Sequence, residues 1–167
     1  MSAQVQSEAV AESIVRGPGD GQTVDAPAGR VTYKARGTET GGALTFIESV
    51  VPPGEGPPLH VHASDEEFIY VLEGRLRVRL VEEIHDAPAG AFVFIPKGLP
   101  HAWQSVGDVD ARFMAGFAPA SPGMERFFER SDELAAETRL ADGFARFAAD
   151  AGMQVLGPPL ARSHPSA

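Results

Sequence analysis

Between residues 31 and 117 the chain is a succession of short runs, alternating or apolar throughout, each closed by Gly, Pro or Asp. Seven of them read as strands: VTYKAR (31–36), ALTFIESVV (43–51), EFIYVL (67–72), RLRVRLV (75–81), AFVFIP (91–96), AWQSV (102–106) and ARFMAGF (111–117). From Arg75 to Leu80 the alternation is strict, which turns Leu76, Val78 and Leu80 inward and makes Arg75, Arg77 and Arg79 a solvated face. Strands this short, with a turn every few residues, build a sandwich or a barrel.

After Phe117 the periodicity changes. Ser121 and Pro122 read as the N-cap and first residue of a short helix, with Met124, Phe127, Phe128 and Leu134 near helical spacing. A second helix places Leu140, Phe144, Phe147, Ala148 and Ala151 on one face and ends at Gly152. These aromatics are expected to cover the outer face of a sheet, the alternatives being to close a cavity mouth or to form a dimer contact. Residues 1–30 lack sustained periodicity and read as an arm with one short strand around Ile14, and the closing GPPLARSHPSA reads as an irregular tail carrying an exposed His164. The expected organisation is an arm (1–30), a β-barrel (31–120) and a helical extension with tail (121–167).

Composition narrows the function classes. With 167 residues, 43% hydrophobic, 18 Gly and 14 Pro, the chain suits one turn-rich domain with a sizeable core. A net charge of −9 argues against nucleic acid, whose phosphates call for a basic surface. Without cysteine there are no disulfides, thiolate nucleophiles or cysteine zinc sites. The opening MSAQVQSEAVAES has neither a basic nor an apolar signal region, and no run reaches the roughly 20 apolar residues of a membrane span, so a cytoplasmic location is expected. Edge strands of a small sandwich need covering, which points to a homodimer.

The chemistry concentrates in His60, His62, Glu67 and His101. Residues two apart on a strand share a face, so His60 and His62 point into one cavity. The turn-like stretch from Ala63 to Asp65 lets the chain reverse and bring in Glu67, with Glu66 the alternative acid, while His101 arrives from a separate strand. Three imidazoles and a carboxylate suit a divalent transition metal such as Fe, Mn, Ni or Zn better than Mg or Ca, and leave one or two positions open for substrate or dioxygen. Trp103, two residues after His101, belongs on the ligand-facing side. Phe46, Ile47, Phe94, Phe113 and Met114 on adjoining strands are further candidates for the cavity wall, which would suit a flat organic molecule. His85, in an acidic segment, reads as exposed.

The spacing Gly54-x5-His60-x-His62-x4-Glu67-x6-Gly74, followed by Gly90-x5-Pro96-x-Gly98-x2-His101, resembles the two motifs of the cupins, with Ser105 standing where the second motif closes on Asn. The resemblance implies a double-stranded β-helix, or jelly-roll, barrel with short C-terminal helices, and a metal held by His60, His62, Glu67 and His101. PPGEGPPLHVH, EEFIYVLEG and PKGLPHAW are similar to small bacterial cupins likened to quercetin dioxygenases. That implies a metal-dependent dioxygenase acting on an aromatic or enolic small molecule, with Glu67 also moving a proton. The alternatives are a cyclase, isomerase or lyase that uses the metal without O2, or a non-catalytic small-molecule binder.

Overall fold

The computed structural model describes residues 12–131 and 143–161, so Leu134, Leu140 and His164 lie outside the described residues. Among the described residues there are eleven strands and two helices: β1 Thr23–Ala26, β2 Gly29–Ala35, β3 Thr45–Val51, β4 Pro58–His62, β5 Glu66–Glu73, β6 Arg75–Leu80, β7 Glu83–Pro88, β8 Phe92–Ile95, β9 His101–Ser105, β10 Ala111–Ala118, α1 Pro122–Glu129, α2 Gly143–Asp150 and β11 Met153–Pro159. They form two antiparallel sheets, β1-β2-β3-β10-β5-β8 and β11-β4-β9-β6-β7. This is the jelly-roll arrangement, but the sheets face each other without closing into a barrel.

Alternation decides which side chains meet between the sheets. Leu76 and Val78 are fully buried, while Arg75 and Arg79 reach outward to Asp86 and Glu82, each at 3.0 Å. On β5 the inward set is Glu67, Ile69 and Val71, which pair across β10 with Phe117, Ala115 and Phe113. A carboxylate thus takes the place of one aliphatic in an otherwise apolar row. The tight reversal from β5 to β6 uses Gly74 at φ 71°, where an added Cβ would lie 2.8 Å from the Asp110 carbonyl oxygen.

Four strands lie outside the seven runs read as strands, one of them the strand expected to carry His60 and His62. No strand forms at Ile14; the arm instead contributes β1, which pairs with β2. The ligand-bearing β4 opens on Pro58 and spans five residues. The acidic EIHDAP run is β7, an edge strand that buries only Ala87 and therefore shows no alternation. The supposed tail begins with β11, whose Gly157, Pro158 and Pro159 are tolerated because it is the opposite edge of that sheet. The sheets thus recruit strands from both sides of the 31–120 span.

Helix α1 is fastened to the six-stranded sheet by one buried acid. Glu125 Oε1 accepts hydrogen bonds from the Gly37 backbone N–H (2.8 Å) and the Thr45 hydroxyl (2.6 Å), while its own backbone carbonyl accepts from the Tyr33 hydroxyl at 2.9 Å. Replacing it by an apolar residue strands two buried donors, each of which costs about 1–3 kcal/mol when left unpaired. Glu125→Leu is therefore expected to lower the unfolding free energy by about 3 kcal/mol in urea titrations. Glu129→Gln, which disturbs only the exposed pair with Arg36, should cost under about 1 kcal/mol.

Candidate metal site and its cavity

Four of the sequence-picked residues converge. His60 and His62 lie two apart on β4, His60 is registered opposite His101 on β9, and Glu67 enters from the facing sheet. One ligand atom from each lies within 4.8 Å of the others, and all four residues are buried. The closest approaches are 3.2 Å between the Nε2 atoms of His60 and His62, 3.3 Å from His62 Nε2 to Glu67 Oε2, and 3.0 Å from His101 Nε2 to the same oxygen. Glu66 is turned away and accepts the backbone N–H of Lys97, which leaves Glu67 as the acid of the site.

The outer nitrogens explain how the cluster is aimed. Nδ1 of His60 lies 2.8 Å from the Pro58 carbonyl oxygen and Nδ1 of His101 lies 2.9 Å from that of Leu99. A carbonyl only accepts, so these Nδ1 atoms carry protons, and each ring turns its Nε2 toward the interior. The turn before β9 is held to the ligand strand by Gly98, whose N–H donates to the His62 carbonyl at 2.8 Å. Ser105, in place of the motif's Asn, keeps the local contacts through its backbone: its carbonyl accepts from Gly54 and its N–H donates to Glu55.

Such a collection of acceptors needs positive charge among them. Burial, with His101 nearby, pushes the His60 imidazole down to about 4, so it stays neutral near pH 7. Burial alone would raise the Glu67 carboxyl, but hydrogen bonds to His101 and His62 hold it well below the usual carboxylate range. Burial opposes charge on His101 as well, yet the Glu67 carboxylate holds its imidazole above the ordinary value. The 3.0 Å contact between His101 Nε2 and Glu67 Oε2 is where a proton is shared in the metal-free protein, and a divalent cation would satisfy all four ligand atoms at once. The donor set fits a borderline transition metal.

The site opens on an apolar cavity of about 450 Å3. His60, His62 and Glu67 lie in its wall together with Ile47, Trp103 and Phe113. Phe46, Phe94 and Met114, expected in that wall, do not line it. The reason is parity: on β3, β8 and β10 the inward residues are Ile47, Ile95 and Phe113, so their immediate neighbours face out, and Phe94 is 51% exposed. Sequence reasoning missed Phe117, whose ring lies 5.5 Å from that of His62, although the alternation through Phe113 and Ala115 carried the signal. It also assigned the helical aromatics to the outside of a sheet, whereas Phe127 and Phe128 of α1 and Phe144 of α2 line the cavity. His85 is exposed beside Glu83, away from the cluster.

Residues 47–117 match the family model of the Cupin domain, a span that contains the whole ligand set. This span is a cupin domain. This cupin is 38% identical to SchB of Streptomyces halstedii over 86 residues, 51% of the chain and 62% of SchB. It is 38% identical to the polyketide synthase protein CurC of Streptomyces cyaneus over 74 residues, 44% of the chain and 48% of CurC. A match to quercetin 2,3-dioxygenase of Bacillus subtilis has 34% identity and covers 44% of the chain and 22% of that enzyme. The chain spans less than two thirds of each of these curated relatives. Among solved structures, the polyketide cyclase RemF of Streptomyces resistomycificus superposes with a TM-score of 0.57 at 22% identity, covering 66% of the chain and 82% of RemF, which speaks to the fold of the cupin alone.

Metal added to the cupin stripped of metal is expected to raise its thermal midpoint, since a ligand at 100 times its Kd stabilises by about 2.7 kcal/mol. Alanine at His60, His62 or His101, or Glu67→Gln, should each lower metal content on elemental analysis at least tenfold. Retention of the wild-type content by all four variants would remove the site.

Proposed function

We propose that this cupin holds one divalent transition metal, Fe, Mn, Ni or Zn, through His60, His62, Glu67 and His101, and acts on a flat, largely apolar enol or phenol of polyketide or flavonoid type. The observation that carries this reading is the convergence of four buried ligand atoms in the wall of a 450 Å3 apolar cavity. When bound, the metal would supply Lewis acidity that lowers the energy of an enolate or phenolate oxygen. Trp103, Phe117 and Phe128 would grip the substrate faces and exclude water. Glu67 is the proton acceptor, taking a proton from the carbon beside a carbonyl as it shifts from its ligand position.

For the reaction we favour ring closure without oxygen, supported by the 38% identity over 74 residues to the polyketide synthase protein CurC. The electron pair freed when Glu67 takes the proton forms a carbon–carbon bond to a second carbonyl carbon of the same molecule. The oxygen of that carbonyl takes up a proton, and loss of water completes an aromatic ring. A second reading, a dioxygenase that adds O2 across the enol, draws support from the match to quercetin 2,3-dioxygenase. Incubating each metal form with 1,3-diketone-bearing naphthols and with flavonols, in air and under nitrogen, separates them. Ring closure predicts equal product in both atmospheres and at least a 100-fold drop in Glu67→Gln; oxygenation predicts product in air alone, with one O2 consumed per turnover. Binding without product under either atmosphere would leave a small-molecule binder and overturn both.

We also propose that two copies associate through the open edge of the six-stranded sheet. β8 is the last strand of that sheet, and its outward face carries Phe92 and Phe94, 63% and 51% exposed, beside Tyr70 at 46%. Across four strands the outward register runs Phe46, Gly116, Phe68, Phe94, with the ring of Phe68 lying over Gly116, where an added Cβ would meet it at 2.1 Å. Antiparallel pairing of β8 about a two-fold axis through Val93 sets Phe92 of one copy beside Phe94 of the other, a self-complementary contact. Light scattering on a size-exclusion column is expected to give a dimer for the wild type and a monomer for Phe92→Glu; a monomeric wild type at about 100 µM, well above the micromolar range of weak homodimers, would remove the proposal.

A further inference from the structure

Of the three histidines in the cluster, His62 alone lacks a backbone carbonyl on its outer nitrogen. His60 and His101 rest on carbonyls two residues back in the chain. His62 Nδ1 is buried and has no hydrogen-bond partner among the described residues. The polar atom beside it is Oδ2 of Asp65, 3.3 Å away, itself buried and without another hydrogen-bond partner. The other carboxylate oxygen of Asp65 accepts from the Ser121 hydroxyl at 3.2 Å. Asp65 is only 6% exposed, on the turn between β4 and β5.

Two orphaned polar atoms facing each other in an apolar shell are costly unless they act together. We propose that Asp65 is a positioning residue for the metal centre. Its carboxylate receives the Nδ1–H of His62, fixes the plane of that ring, and leaves Nε2 as a lone pair aimed at the cation. A carboxylate behind a ligating imidazole also makes that ligand more basic toward the metal than a neutral carbonyl does. Ser121 extends the device. It stands at the N-cap of α1, yet its hydroxyl makes no cap bond to the helix and goes to Asp65 instead, while its backbone N–H donates to the Thr45 hydroxyl at 3.1 Å. The helix that brings Phe127 and Phe128 to the cavity is thereby tied to the ring of one metal ligand.

The inference rests on the metal-binding reading, and the test separates the two. In metal-free protein, nitrogen-15 NMR of the imidazoles reports which nitrogen of His62 is protonated. The wild type is expected to show an Nδ1–H on His62 hydrogen-bonded to Asp65, and Asp65→Ala to lose that Nδ1–H signal while those of His60 and His101 stay as they are. By zinc competition titration, Asp65→Ala should bind 10- to 100-fold more weakly, the range seen when such supporting carboxylates are removed. Asp65→Asn, which keeps an acceptor oxygen and the shape, should recover part of the loss, and Ser121→Ala should weaken binding severalfold with the fold intact by circular dichroism. An unchanged His62 Nδ1–H signal in Asp65→Ala, or zinc affinity within twofold of the wild type, would overturn the role of Asp65. A wild type that binds no zinc, manganese, iron or nickel would sink the metal reading, whereas the Nδ1–H measurement in metal-free protein still decides what Asp65 does.

Discussion

A carboxylate buried among three imidazoles is stable only when positive charge joins them, and the architecture of this protein follows from that constraint. Glu67 occupies the inward position next to Ile69 and Val71, in a row that would otherwise be wholly apolar. Removing that carboxylate from water without compensation would be prohibitive. The compensation comes from the facing sheet, where β4 and β9 lie side by side with His60 opposite His101. The two sheets are therefore held together at this end by a polar cluster as well as by apolar packing. The same cluster sets the ligand geometry, because the carbonyls of Pro58 and Leu99 and the carboxylate of Asp65 back the three rings from outside.

The C-terminal segment gives that cluster its enclosure. β11 pairs with β4 in register, Met153 against His62 and Val155 against His60, so the ligand strand is flanked on both edges and cannot slip. Phe127 packs against Phe147 at 5.1 Å between ring centres and against Phe144 at 6.1 Å, which joins the two helices into one apolar cover. Glu125 anchors this cover to β2 and β3 through Gly37, Thr45 and the Tyr33 hydroxyl. The cavity and the histidine cluster thus share supports: the Thr45 hydroxyl donates to Glu125 on one side and accepts the backbone N–H of Ser121 on the other, and the Ser121 hydroxyl donates to Asp65.

The convergence of His60, His62, Glu67 and His101 was legible in the sequence because its signal is redundant: two histidines on one strand face, an acid at a fixed remove, and glycines that only make sense as turns. The strand core was legible where one face is buried and the other wet, as in Arg75–Leu80. Legibility failed where that asymmetry vanishes. β7 is exposed along most of its length, and β11, although its burial alternates from Met153 onward, exposes Leu156 and closes on Gly and Pro, so neither stands out as a strand in the sequence. The wall residues failed for a different reason. Aromatic identity alone does not tell inside from outside, and Phe46, Phe94 and Met114 are aromatic or large but sit one register step from the inward set. Carrying the parity of Glu67 across β10 to Phe117 would have found the correct face. The placement of α1 and α2 over the cavity depends on long-range packing that periodicity does not encode.

Charge balance in the finished site constrains what enters it. With a divalent cation in place, the carboxylates of Glu67 and Asp65 cancel its charge and the three imidazoles add none. The cavity walls around it are largely apolar, with Arg30 and Glu67 the charged side chains among the lining residues. A neutral enol or phenol would cross the apolar walls at little cost and ionise only at the ligand cluster. The proton it gives up must then stay close, since moving it to solvent would separate charge across a medium of low dielectric constant. On the proposed reading Glu67, already the meeting point of His62 and His101, is the group in the wall that would keep it. That reading favours reactions that return the proton to the same molecule or to its immediate product, and ring closure by carbonyl addition has that property.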